Sequence, residues 1–290
     1  MAHQTSSTPD SKPDRAFRSI VLATITDSTP AQRVLAFGFI PIILLFIGAL
    51  PIHQQQQWAL NLNDPRMLQL YLSNFVHGDI PHLANNILSY LLLMMFTFPL
   101  AVSAGKQRTL GVVSILLLTV LPILVSVYSI TMLGDTSAET VVGFSGVVAG
   151  YAGALPFFIA YHMNEKVADI GVELTGIGLM GLELGAVLWF VGLHSWSVVL
   201  LSVLSVIGLG FASYDRQVVT KIGREYEVHL IVYTLISFAT VPFTLFVGVG
   251  AGTNVYGHLI GLIGGFLCTL SVVLGQTVLS QVRTESCSDS

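Results

Sequence analysis

Eight apolar runs, separated by polar or glycine-containing breaks, set the layout of this chain: roughly 34–51, 83–104, 109–132, 143–162, 172–193, 196–213, 228–249 and 254–278. A bilayer crossing takes about 20 mostly apolar residues, and a helix can satisfy its own backbone there. Each run is therefore predicted as one transmembrane helix, the first and sixth being the shortest. Breaks such as Gly105-Lys106, Gly134-Asp135 and Tyr214-Asp215-Arg216 combine turn formers with charge. The pattern predicts an all-α polytopic membrane protein. Residues 1–33 read as a polar cytoplasmic tail, disordered or loosely surface-bound, 34–279 as the transmembrane domain, and 280–290 as a short cytoplasmic tail. The first run reads as a retained span, because a cleaved signal would have an unusually long and acidic leading region.

Composition agrees with this layout. Of 290 residues, 53% are hydrophobic and 10% charged, against roughly 25% charged in soluble domains. So apolar a chain could not cover itself in water, and its bulk must face lipid. The net charge of −4 gives no hint of nucleic-acid binding. Two cysteines, Cys268 in an apolar run and Cys287 in the polar tail, cannot make a disulfide framework.

Charge also orients the chain. With the amino terminus in the cytoplasm, Arg66 alone of the 12 basic residues falls outside. That is the bias of the positive-inside rule. Removing or adding a span between 163 and 228 would move a basic cluster outward. In this topology the second, fourth and eighth spans all run inward, and His82, Ser145 and His258 lie at or near their outer ends.

Those residues carry candidate chemistry. Ser145 stands in Gly143-Phe144-Ser145-Gly146 and His258 in Gly257-His258-Leu259-Ile260-Gly261. A serine hydroxyl needs a base within hydrogen-bonding reach to become a nucleophile. Ionisable groups inside a bilayer face the bundle interior or a wet cavity. Gly257, Gly261 and Gly265 share one helical face, and Gly143, Gly146, Gly150 and Gly153 accompany the serine. Small residues at this spacing let two helices meet closely, which would bring Ser145 and His258 together as a dyad with no third carboxylate. At the start of the second span, His82 and Asn86 are four apart and share a face. Both can donate hydrogen bonds, and with the Ser145 N–H they would form an oxyanion hole. Each motif alone has a plainer explanation: glycine faces are common in bundles, and His82 and Asn86 also suit a helix start at a wet interface.

Taken together, in order, the motifs resemble those of the rhomboid intramembrane serine proteases. They are His-x-x-x-Asn at His82–Asn86, Gly-x-Ser-Gly at Gly143–Gly146, and Gly257-His258 followed by Gly261 and Gly265, with His77 as a further familiar residue upstream. The resemblance covers about 40–160 and 228–278. It implies a rhomboid-like bundle, here a six-helix core plus two extra helices. It further implies Ser145 as nucleophile, His258 as general base, His82 and Asn86 at the oxyanion, and transmembrane proteins as substrates. The active site would open outward from a cell membrane, with no metal or organic cofactor. The chain departs from the pattern in several ways, one being that the Trp-Arg pair of some members' first outer loop is not evident at Leu68-Gln69. Three runs separate serine and histidine where the simple core has one, most simply through an inserted hairpin over 172–213, with 228–249 then matching the mobile gate helix. Many members carry a Tyr one turn after the serine, packed on the catalytic ring; here Ala149 stands there and the nearest aromatic is Tyr151.

Other readings compete. A catalytically silent relative would bind and escort membrane proteins, yet such relatives typically lose the serine or the histidine. A transporter would explain Glu183, in the middle of the fifth span, but not the order of His82, Asn86, Ser145 and His258. Glu183 is expected to hydrogen-bond a neighbouring helix, and Glu173 to reach the inner interface. The outer loop over 52–81 reads either as a structure at headgroup level or as a solvated linker. A retinal protein is excluded, because no lysine lies within a run.

Overall fold

The computed structural model describes residues 12–134, 136, 138–166, 170–214, 225–246 and 253–288. Its elements in chain order are helices α1 (Lys12–Thr26), α2 (Pro30–Val34), a π-helical turn (Leu35–Phe39), α3 (Ile40–Gly48) and α4 (Ile52–Trp58). Strand β1 (Leu60–Asn61), α5 (Met67–Leu72), a 3-10 turn (Ser73–Phe75), α6 (Ile80–Ser103), α7 (Gln107–Thr119) and α8 (Leu121–Leu133) follow. Strand β2 (Thr140–Val141), α9 (Ser145–Lys166), α10 (Val172–Phe190), α11 (Trp196–Tyr214), α12 (Glu225–Phe246) and α13 (Val255–Ser288) complete the chain.

Among the described residues, six helical stretches are long and apolar enough to cross a bilayer: Pro30–Gly48, Ile80–Ser103, Gln107–Leu133, Ser145–Lys166, Val172–Phe190 and Val255–Leu279. The chain is thus a multi-pass helical membrane protein. Exposed Ile42, Phe46, Leu88, Ile115, Leu174, Leu200 and Leu204 give it an apolar outer surface, as lipid contact requires. The sixth and seventh apolar runs fall on α11 and α12. The basic cluster Arg216, Lys221 and Arg224 lies outside the described residues.

Local signals explain the helix boundaries. Asp79 caps α6, its carboxylate accepting from the His82 N–H at 2.6 Å, and Asn254 caps α13 by accepting from Gly257 N–H at 2.9 Å. The run over 109–132 breaks at Val120, between α7 and α8, where Pro122 has no N–H to continue the ladder. Tyr90 donates to the Ala36 carbonyl in the π turn at 2.7 Å.

The tail expected to be loose over 1–33 is helical from Lys12, and Ile20 is buried beside Val102 and Leu230. Thr29 and Gln32 then form a capping box that starts α2. The C-terminal segment likewise continues α13 to Ser288. In both cases the polar residues are compatible with helix, and composition alone did not reveal it.

Helix α9 is the axis of the bundle, buried from Gly146 through His162. A helix surrounded by others reads apolar on every face. Helix α13 lies along it through glycines. A Cβ on Gly146 would meet the Gly257 carbonyl at 3.2 Å, one on Gly261 would overlap the Gly146 carbonyl, and one on Gly265 that of Gly150. Farther along, Gly153 abuts Leu262. Contacts advance in the same direction on both helices, so α9 and α13 are parallel neighbours. Helices α10 and α11 form an antiparallel hairpin, with Gly178 against Leu209, Gly181 against Ser205 and Gly185 against Ser202.

Candidate active site

His82, Ser145 and His258 all lie in the first turn of their helices, at one end of the bundle. Ser145 is the first residue of α9. The Phe144 carbonyl ahead of it accepts from Val147 and Val148, each at 3.0 Å. Helix geometry leaves the Ser145 and Gly146 amides without intrahelical acceptors, so they point outward as donors.

The turn into Ser145 depends on Gly143. Its φ of 123° is unfavourable for any residue with a side chain. A Cβ there would also lie 2.7 Å from the His82 ring. Its N–H donates to the Ser73 carbonyl at 3.0 Å, and Phe75 packs on Phe144 at 5.5 Å. The segment over 52–81 is therefore built structure: β1 pairs with β2 through Leu60–Val141 and Asn61–Thr140, tying the segment after α4 to the segment before Ser145.

His82 and Asn86 share the face of α6 that meets Gly143, with the Asn86 amide nitrogen 3.8 Å from the same point as the His82 ring. Asn86 is buried, and its Nδ2 has no acceptor among the described residues. His77 packs against His82 with ring centres 5.0 Å apart and planes 78° apart, and both of its ring nitrogens are buried. Burial, and then the neighbouring His82, pull the His77 pKa from 6.5 to about 4.

His258 is 4% exposed. Its Nδ1 lies 2.6 Å from the Leu245 carbonyl. A carbonyl only accepts, so Nδ1 carries the proton and Nε2 keeps a lone pair. Among the described residues Nε2 has no hydrogen-bond partner. Phe246 approaches the ring edge-on at 5.9 Å, with 88° between planes. Tyr151 packs on Tyr90 at 5.3 Å, and the described contacts of the His258 ring come from α12.

Ser145 and His258 line one cavity of about 20 Å³, with Gly143, Gly146 and Gly257 in its wall. It has room for about one water. The Ser145–His258 hydrogen bond is not formed, but catalytic hydrogen bonds commonly tighten only around substrate. The same cavity is lined by polar residues not anticipated from sequence. Asn74 donates to the Pro122 carbonyl at 3.1 Å and to Ser126 at 3.0 Å, and Asn254 donates to Ser129 at 2.6 Å. Asn254 had a signal, a cap residue three positions before Gly257; Asn74 had none.

Glu183 is elsewhere, on α10. It is 2% exposed and its Oε2 has no hydrogen-bond partner, so the expected bond between helices is not made at that oxygen. Glu173 accepts from Thr277 of α13 at 2.7 Å, joining α10 to α13.

Compared with known proteins, the chain matches no family model, no curated protein and no solved structure.

Proposed function

We propose that this chain is an intramembrane serine endopeptidase of rhomboid type, cutting transmembrane proteins within or beside their membrane segments. One observation carries the reading: Ser145 and His258 line one cavity between parallel helices, and His258, whose Nδ1 is engaged by the Leu245 carbonyl, keeps an Nε2 without a partner among the described residues. An unsatisfied buried polar group costs about 1–3 kcal/mol. His258 Nε2 and Asn86 Nδ2 both bear that cost here, as groups reserved for a reacting molecule do.

The chemistry follows. Ser145 Oγ attacks the scissile carbonyl and its proton passes to His258 Nε2. The oxyanion is met by Asn86, His82 and the outward amides of Ser145 and Gly146. The C–N bond breaks as the imidazolium returns the proton to the leaving amine. Water, activated by the same base, then hydrolyses the acyl-serine and restores the hydroxyl.

The finer architecture belongs to this proposal. All eight runs cross the membrane, with both termini cytoplasmic and the site opening outward. The α10–α11 hairpin is the addition to a six-helix core, and its glycine-to-serine packing supports treating it as one unit. Helix α12, which packs on α6 and α9, takes the gate position.

The test is a fluorophosphonate probe followed by mapping of the modified residue. Labelling of Ser145 that disappears in His258→Ala is the expected result; labelling elsewhere, or none, ends the assignment.

A further inference from the structure

We infer that Phe246 is a positioning residue for the base: with the Leu245 carbonyl it holds His258 in the reactive tautomer and ring angle, so that the seating of α12 sets the competence of the site. This rests on the protease reading above and goes beyond it.

The hydrogen bond and the aromatic contact of the His258 ring both come from α12, through adjacent residues. Across the α9–α13 contact, the Tyr of the family pattern is Ala149, whose methyl lies against Gly261. The two α12 contacts act on different freedoms of the ring. The Leu245 carbonyl selects which nitrogen is protonated. The Phe246 ring, set perpendicular to the imidazole, limits rotation of the imidazole plane beside the cavity that Ser145 and His258 line.

Helix α12 has one face open to the surroundings of the bundle. Val232, Leu235 and Ile236 are exposed on its outer side, whereas α9 is enclosed. Displacing α12 to admit a substrate helix would withdraw both contacts together. The nucleophile then loses its ordered base until α12 reseats around the bound segment, and an open site is protected from futile acylation.

The test uses the full-length protein in detergent and a small alkyl fluorophosphonate, which reports on Ser145 activation without needing a transmembrane substrate. Phe246→Tyr keeps the ring and is expected to label within about twofold of the unaltered protein. Phe246→Leu and Phe246→Met keep most of the bulk but lose the ring edge. Both are expected to slow labelling at saturating probe by about 10- to 100-fold, as misplacement of a catalytic group by an ångström does. The half-saturating probe concentration is expected to stay unchanged. Either aliphatic variant labelling at the unaltered rate overturns the positioning role and leaves the protease reading standing. Absence of Ser145 labelling in the unaltered protein removes the protease reading, and this inference with it.

Discussion

Gly261 of α13 rests on the main chain of Gly146 in α9 with no room for a Cβ between them. This contact, one residue past Ser145 and three past His258, sets the distance between the helices that carry them. A side chain at Gly261 must push the helices apart at the place where chemistry would occur. Gly261→Val is expected to destabilise the protein by about 1–3 kcal/mol and to abolish cleavage, read by thermal melting and by turnover of a transmembrane substrate. Gly264→Ala provides the contrast. Its Cβ would meet only the end of the Leu121 side chain, at 2.6 Å, so activity is expected to persist. Equal loss in both variants would contradict a specific role for the Gly146–Gly261 contact.

Ser145→Ala is expected to abolish cleavage of a model transmembrane substrate in liposomes with the melting transition retained. The hydroxyl is half-buried at a helix start, and among the described residues no hydrogen bond holds it. Undiminished cleavage would remove the enzyme assignment.

Asn86 separates stability from activity. Among the described residues its buried Nδ2 has no acceptor, so Asn86→Ala relieves the cost of that donor while losing the packing of a buried side chain, and the two are expected to offset to within about 1 kcal/mol. Turnover is expected to fall by about 10²- to 10³-fold with KM nearly unchanged, the signature of a lost oxyanion donor. A variant that melts early yet turns over normally would make Asn86 structural.

His77 gives a pH dependence with a definite sign. Its pKa falls from 6.5 to about 4 on folding, so the unfolded chain binds the proton more tightly. Its stabilising contribution is complete above pH 6.5 and is lost as pH falls toward 4. The shift corresponds to about 3 kcal/mol. Melting temperature is expected to drop between pH 7 and pH 4.5, with a shallower slope in His77→Phe. An identical slope in that variant would assign the effect to other groups.

What could be read from sequence was whatever repeats along a helix or scales with bilayer thickness. Apolar runs marked the helices because a membrane segment must close its own hydrogen bonds. The four-residue spacing of Gly257, Gly261 and Gly265 marked a close face, and that of His82 and Asn86 placed both toward Gly143. Tertiary structure alone decided how the base is held. A main-chain carbonyl such as that of Leu245 has no side-chain signature, and Phe246 is one apolar residue within an apolar run. The link from Asn74 to Ser126 and Pro122, and the buried Glu183 oxygen without a partner, were equally invisible. Each depends on which elements become neighbours, and local periodicity carries no information about that.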